Sequence, residues 1–145
     1  NVFSNSFESR KSNFPNIKSL SFKDLITNSD IVSLHCKPNK DNKPLFSYNE
    51  FKLMKSDSVL INTARGGLID EDDLKKALEE NLIRGAGLDV YKDEPLKDSI
   101  LFDTKNLILT PHIAASTIEA QVIVAEMIAN QISDYFNNGN IKNSI

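Results

Sequence analysis

Five polar side chains stand at or just past the ends of short apolar runs. His35 ends the run Asp30-Ile-Val-Ser-Leu-His35, and Arg65 follows Ser58-Val-Leu-Ile-Asn-Thr-Ala64. Asp89 lies near the end of Gly85-Ala-Gly-Leu-Asp-Val90, with Glu94 just beyond it, and His112 follows Asn106-Leu-Ile-Leu-Thr110. Together they supply a cation, two carboxylates and an imidazole able to exchange a proton near neutral pH. Arginine is rare in this chain. Arg10, Arg65 and Arg84 are the three among 17 basic residues, so an Arg beside Gly66-Gly67 stands out. Asn, Lys and Ile make up 45 of the 145 residues, which reads as a coding bias and not as a binding signature.

Each residue also has a purely structural reading. Arg65 could decorate a surface turn, Glu94 could be a solvated loop carboxylate, and His35 could simply end a strand. His112, after Pro111, could be a loop histidine satisfied by backbone. Their shared position weighs against coincidence, because ligands of open parallel sheets bind beyond the carboxyl ends of the strands. Cys36 is expected to be a small, buried, unreactive side chain. Asp70, Asp72 and Asp73 read as helix-capping and solubility groups, and no metal site is expected from them. The chain has no zinc-ligand spacing, nucleophile elbow or G-x-x-x-x-G-K phosphate loop.

The elements that must position these residues are legible as short apolar strands alternating with helices. Val2–Ser4 and Ile17–Leu20 read as strands around a polar stretch at 8–16. Ser21 with Asp24 starts a helix, as do Ser47 with Glu50, and Asp70 with Asp73 ahead of 71–81. Ser116 and Glu119 are expected to cap a long helix reaching Phe136, ended by Asn137-Asn-Gly139. On it, Ile118, Val122, Ala125, Ala129, Ile132 and Phe136 form one apolar stripe. Val124, Ile128 and Tyr135 widen that stripe, so the helix is expected to pack on more than one side. Strand, helix, strand, helix with apolar strands predicts an α/β fold with a parallel sheet.

Composition narrows the function classes. A chain of 145 residues can bury roughly 68–70% of its unfolded surface, so it can hold a core. The hydrophobic share is 40% and the charged share 26%, with a net charge of −3, which does not fit a strongly electrostatic nucleic-acid or anionic-membrane binder. No apolar run approaches the ~20 residues of a membrane span. The single Cys36 excludes an internal disulfide framework and fits a reducing compartment. The chain starts at Asn1 without a Met and reads at once as the tail of a strand, so a fragment is expected.

The strand-end motifs resemble the nucleotide-binding domain of the D-isomer-specific 2-hydroxyacid dehydrogenases. The matching runs are Ser29–His35, Leu60-Ile-Asn-Thr-Ala-Arg-Gly-Gly67, Gly85–Val90, Asp93-Glu-Pro95 and Leu109-Thr-Pro-His-Ile113, in the family's order and spacing. Ser116-Thr-Ile-Glu-Ala-Gln121 and the closing Asn138–Ile145 resemble the D-3-phosphoglycerate dehydrogenase branch, which begins serine synthesis. The resemblance implies a Rossmann-like parallel sheet with helices on both faces, here incomplete, without the first central strand and the glycine-rich turn. It implies that residues 1–145 are part of one nucleotide-binding domain, with 138–145 returning towards a substrate domain.

It also implies a mechanism. Arg65 would clamp the substrate's carboxylate and 2-oxygen, a task suited to a planar multi-donor cation. His112 would exchange a proton with the 2-hydroxyl or 2-keto oxygen, while Glu94 orients it and favours its charged form. Asp89 would face the nicotinamide carboxamide. His35, Thr63, Ala64, Arg65 and His112 would line the cofactor cleft, with Ala114 and Ala115 beside it. The implied cofactor is NAD, with NADP left open, because Ser4-Asn5-Ser6, followed by Arg10 and Lys11, stands where an acid would bind the ribose 2′-hydroxyl. The implied whole is a cytoplasmic homo-oligomer, dimer or tetramer, acting on a small 2-hydroxy or 2-keto acid, with no nucleic-acid or membrane partner. A glyoxylate or hydroxypyruvate reductase, a cofactor-sensing corepressor-like protein and a small α/β signalling domain are the alternatives. The chain alone is expected to fold poorly and to be inactive.

Overall fold

The computed structural model describes residues 2–4 and 17–143. It divides into two compact units, Asn1–Pro111 and His112–Ile145. The segment read as a polar loop at 8–16, and Asn5, Ser6, Arg10 and Lys11, lie outside the described residues.

Unit 1 is built on parallel strands. β1 (Val2–Ser4) and β2 (Ile17–Ser19) pair in one two-stranded sheet. β3 (Ile31–Leu34), β4 (Val59–Asn62), β5 (Gly85–Leu88) and β6 (Leu107–Leu109) form a second sheet in that spatial order. All three pairings in the second sheet are parallel, with Ile31 opposite Val59, Val59 opposite Gly85 and Gly87 opposite Ile108. The parallel α/β architecture expected from the sequence is therefore present. β1 has the expected bounds, and the other strands are slightly shorter than their apolar runs.

The helices α1 (Phe22–Asn28), α2 (Tyr48–Phe51) and α3 (Glu71–Glu79) begin where their sequences supply caps. Ser21 Oγ accepts from the Asp24 N–H at 3.1 Å, Glu50 accepts from the Ser47 N–H at 3.0 Å, and Asp70 accepts from the Asp73 N–H at 3.0 Å. Each satisfies backbone groups that a helix start leaves without an intrahelical partner. Asp73 also accepts from the Tyr48 N–H at 2.9 Å, tying α2 to α3.

Side-chain alternation places Val32, Leu34, Leu60, Asn62, Ala86 and Leu88 on the buried side of the sheet. The apolar members join Ile26, Phe46, Phe51, Leu74, Ala77 and Leu78 in one core. On the other side Ile31 and Ser33 are exposed, while Val59, Ile61, Gly85 and Gly87 are partly so. One expectation fails in this unit. Cys36 is exposed, not buried. The alternation of Val32 and Leu34 would have turned it inward, but β3 stops at Leu34 and the chain leaves the sheet.

Unit 2 contains the long helix α4 (Ile118–Asn138). Its N-cap is Thr117, one residue later than expected, and the Thr117 hydroxyl accepts from the Ala120 N–H at 3.1 Å. Ser116 is engaged instead by its N–H donating to the Ile113 carbonyl at 2.8 Å, which closes a turn ahead of the helix. The helix ends at Gly139, whose φ of 70° is the left-handed geometry glycine adopts without steric cost. No described residue of α4 is buried, so the expected packing on more than one side is not found. Ile118 and Phe136, at the two ends of its stripe, are 81% and 79% exposed.

Candidate active site

Because β3 to β6 are parallel, their carboxyl ends share one edge of the sheet, and unit 1 carries His35, Thr63, Ala64, Arg65, Asp89 and Glu94 there or just beyond. His35 follows β3 directly and is exposed. Its Nε2 lies 2.9 Å from the Ser33 hydroxyl. A cavity of about 310 Å³ opens beside it, lined by Ser33, His35 and Cys36 on the polar side and by Phe22, Leu25 and Leu34 on the apolar side.

The turn after β4 is shaped by a residue that sequence reasoning passed over. Asn62 is 1% exposed, and its amide spans the turn. Its Nδ2 donates to the Arg65 carbonyl at 2.9 Å and its Oδ1 accepts from the Ala64 N–H at 3.1 Å. A buried amide satisfied in this way fixes the backbone that carries Arg65. The Arg65 side chain is exposed, and its guanidinium donates to the Ala64 carbonyl at 2.6 Å. Gly66 then packs directly on the backbone of the next site segment. A Cβ there would stand 1.9 Å from the Tyr91 carbonyl carbon and oxygen. Glycine is required by this close approach, not by its φ.

Asp89 is 4% exposed and follows β5. The Thr110 hydroxyl donates to its Oδ1 at 2.5 Å, and the Asp89 N–H donates to the Asn62 carbonyl at 3.0 Å. This carboxylate is thus built into the strand ends and is not a surface charge. Glu94, on the exposed turn beyond, accepts from the Tyr91 N–H at 2.9 Å through Oε1. The Glu94–Pro95 peptide is cis. Beside this turn, Glu71 accepts from the Lys92 N–H at 2.8 Å, which anchors it to the start of α3. A larger cavity of about 530 Å³ is lined by Gly67, Asp70, Glu71 and Lys92, and none of the residues singled out for chemistry lines it. Asp70 is used there in capping, in keeping with its structural reading, and Glu71 in anchoring. Among the described residues no group of acidic, His or Cys side chains is arranged to hold a metal ion.

In unit 2, His112, Ala114 and Ala115 are exposed and precede α4. His112 has φ 54°. The other described non-glycine residues in the left-handed region are Asn42, Asn81, Asn106 and Asn143. Asn tolerates that region readily, whereas His holds it at a cost of order 1 kcal/mol. The Ala115 carbonyl accepts from Gln121 Nε2 at 2.7 Å, fixing the segment ahead of the helix.

The chain as a whole is similar to known proteins. A family model described as "D-isomer specific 2-hydroxyacid dehydrogenase, NAD binding domain" matches residues 2–114. A glyoxylate reductase of Thermococcus litoralis is 43% identical over 111 residues, covering 77% of this chain and 34% of that protein. A D-3-phosphoglycerate dehydrogenase of Methanocaldococcus jannaschii is 41% identical over 109 residues, covering 75% of this chain and 21% of that protein. The crystal structure of a glyoxylate reductase from Paecilomyes thermophila superposes with a TM-score of 0.80 at 31% identity, over 97% of this chain and 42% of that one. The chain therefore spans well under half the length of these relatives. Solved neighbours include a D-lactate dehydrogenase with NAD+ and an imino acid reductase with NADPH. On the match over residues 2–114 and the shared parallel fold, the chain belongs to the D-isomer specific 2-hydroxyacid dehydrogenases, as their NAD-binding domain.

Proposed function

We propose that the chain is the cofactor-binding part of an oxidoreductase that moves a hydride between a nicotinamide and a D-2-hydroxy acid or its 2-keto partner. The observation that carries this reading is the common carboxyl edge of β3 to β6, with Asp89 buried at it and the Arg65 turn held by Asn62. The residues fit the nicotinamide end of such a cofactor. Asp89 offers a fixed carboxylate to carboxamide N–H groups, Thr63 and Ala64 are small, and His35 stands at the neighbouring strand end. No G-x-G-x-x-G turn for the pyrophosphate occurs in the sequence. When bound, the nicotinamide supplies or accepts the hydride.

The chain's own residues would do the rest. Arg65 holds the carboxylate and the 2-oxygen of the substrate through its forked donors. His112 takes the proton from the 2-hydroxyl in oxidation and returns it to the 2-keto oxygen in reduction, so hydride and proton together account for the two-electron change. Glu94 orients His112. His112, Ala114 and Ala115 border the cofactor. NAD is favoured over NADP on family grounds, although β1 ends in Ser4 and not in an acid.

For the substrate, Ser116–Gln121 supports 3-phosphoglycerate, and hence serine biosynthesis in a cytoplasmic homo-oligomer. The second reading, reduction of glyoxylate or hydroxypyruvate, is favoured by the 43% identity to the Thermococcus litoralis enzyme. The test is steady-state reduction of glyoxylate, hydroxypyruvate and 3-phosphohydroxypyruvate by the protein carrying this chain, with NADH and with NADPH. Preference for the phosphorylated acid supports the first reading, and preference for glyoxylate the second. Cofactor binding without turnover of any 2-keto acid would replace both with a cofactor-sensing protein.

A further inference from the structure

Four contacts around the site meet on one residue that the sequence left unremarked. The Tyr91 N–H donates to Glu94 Oε1 at 2.9 Å. Its hydroxyl donates to the Thr110 carbonyl at 2.7 Å, with the Leu88 carbonyl 3.2 Å away. Its own carbonyl occupies the space that a Cβ on Gly66 would need. Thr110 in turn donates its hydroxyl to Asp89. A phenol has one proton to give, so the shorter bond to Thr110 is the principal one. Tyr91 is 6% exposed, and burial pushes its phenol above the ordinary tyrosine range, so the hydroxyl stays a donor at neutral pH.

The pattern is more than packing. A phenylalanine would fill the same space, yet it could not tie the end of β6 to the Glu94 turn. That tie matters because β6 leads, through Thr110 and Pro111, into His112 in the sequence. We propose that Tyr91 is a positioning residue for hydride transfer, holding the Glu94 turn, the Gly66 turn beside Arg65 and the Thr110 end of β6 in one register. This rests on the dehydrogenase reading above and deepens it. In this role Tyr91 acts through Glu94, the Gly66 turn and the β6 end.

The test is Tyr91→Phe, alone and combined with Glu94→Gln, in the protein carrying this chain, assayed from pH 5 to 9 on whichever 2-keto acid the wild type reduces. The expected result is a roughly ten-fold loss of kcat, with the cofactor KM within about two-fold, as small misplacement of reacting groups produces. The pH profile moves in the same direction as in Glu94→Gln. The double variant loses less than the product of the two single losses, because the hydroxyl tie to Thr110 and the Glu94 carboxylate hold the same turn. Unchanged kcat and pH profile in Tyr91→Phe, with an active wild type, overturn the inference and leave the dehydrogenase reading standing. A full multiplicative loss with an unmoved profile also overturns it, since that is what packing alone gives. A wild type that reduces no 2-keto acid overturns the dehydrogenase reading and this inference with it. Should Tyr91→Phe fail to accumulate, amide exchange at Tyr91 replaces it. Protection that drops at least ten-fold in Glu94→Ala supports the link, and equal exchange in wild type and variant overturns it.

Discussion

Glu94 does two things with one carboxylate in this account. Through Oε1 it closes its own turn on the Tyr91 N–H, and it would present its charge to His112. Glu94→Gln keeps an oxygen for the Tyr91 N–H but removes the charge. The protein should therefore fold as before, while the pH profile of turnover changes, because the proposed partner of His112 loses its charge. An unaltered profile, measured as kcat/KM against pH, would count against the pairing. The residues with chemical side chains were legible because they sit where parallel strands end. Those that hold them were not. Asn62 reads as one more polar residue at the end of a strand, and its role appears only when its amide is seen bridging Ala64 and Arg65. Tyr91 reads as loop, and its partner Thr110 is too far along the chain for any spacing rule to pair them.

At the level of elements, the Arg65 turn and the Glu94 turn meet backbone to backbone at Gly66. Gly66→Ala places a methyl 1.9 Å from atoms that cannot rotate away, so one of the two turns must shift. The expected loss is about 3 kcal/mol of stability, at the upper end of ordinary overpacking. Gly67→Ala, with nothing within 4 Å of the added atom, serves as the control and should be near neutral. Denaturant titration of both variants checks this, and equal stabilities would contradict the contact. The end of α4 makes a pH prediction. Lys142 approaches Asp134 at 2.7 Å, and Asn138 and Asn140 donate to it at 2.8 and 3.0 Å. With Lys142 as the largest cause, these contacts lower the Asp134 pKa from 3.8 to about 2. A lowered carboxylate favours the folded-back end above the ordinary value and loses that contribution as pH falls through about 2. The Asn138 and Asn140 side-chain amide resonances should therefore release with a midpoint near 2, whereas release near 4 would contradict the contact. Element starts were legible where caps are local, as at Ser21, Ser47 and Asp70. Thr117 displaced Ser116 because the preceding turn claims the Ser116 N–H, and Cys36 turned outward because β3 ended two residues earlier.

Across the whole molecule, stability should be uneven. β4 pairs on both sides within the four-stranded sheet, while β1 and β2 pair only with each other among the described residues. A lone two-stranded sheet is marginal in water. In residues 1–145 taken by themselves, amides of β1 and β2 should exchange at least about 100-fold faster than those of β4 and β5, and equal protection would contradict this. The parallel architecture was legible in the order of apolar runs and caps. The separation of β1–β2 from β3–β6 was not legible, since no local pattern encodes which strands become neighbours. Turnover in this reading depends on acid–base work by one side chain, His112. The most direct measurement is His112→Asn in the protein carrying this chain, with turnover of its 2-keto acid and nicotinamide affinity measured on the same sample. Turnover should fall by at least about 100-fold with cofactor affinity within about three-fold of wild type. Turnover equal to wild type would remove His112 from the reaction.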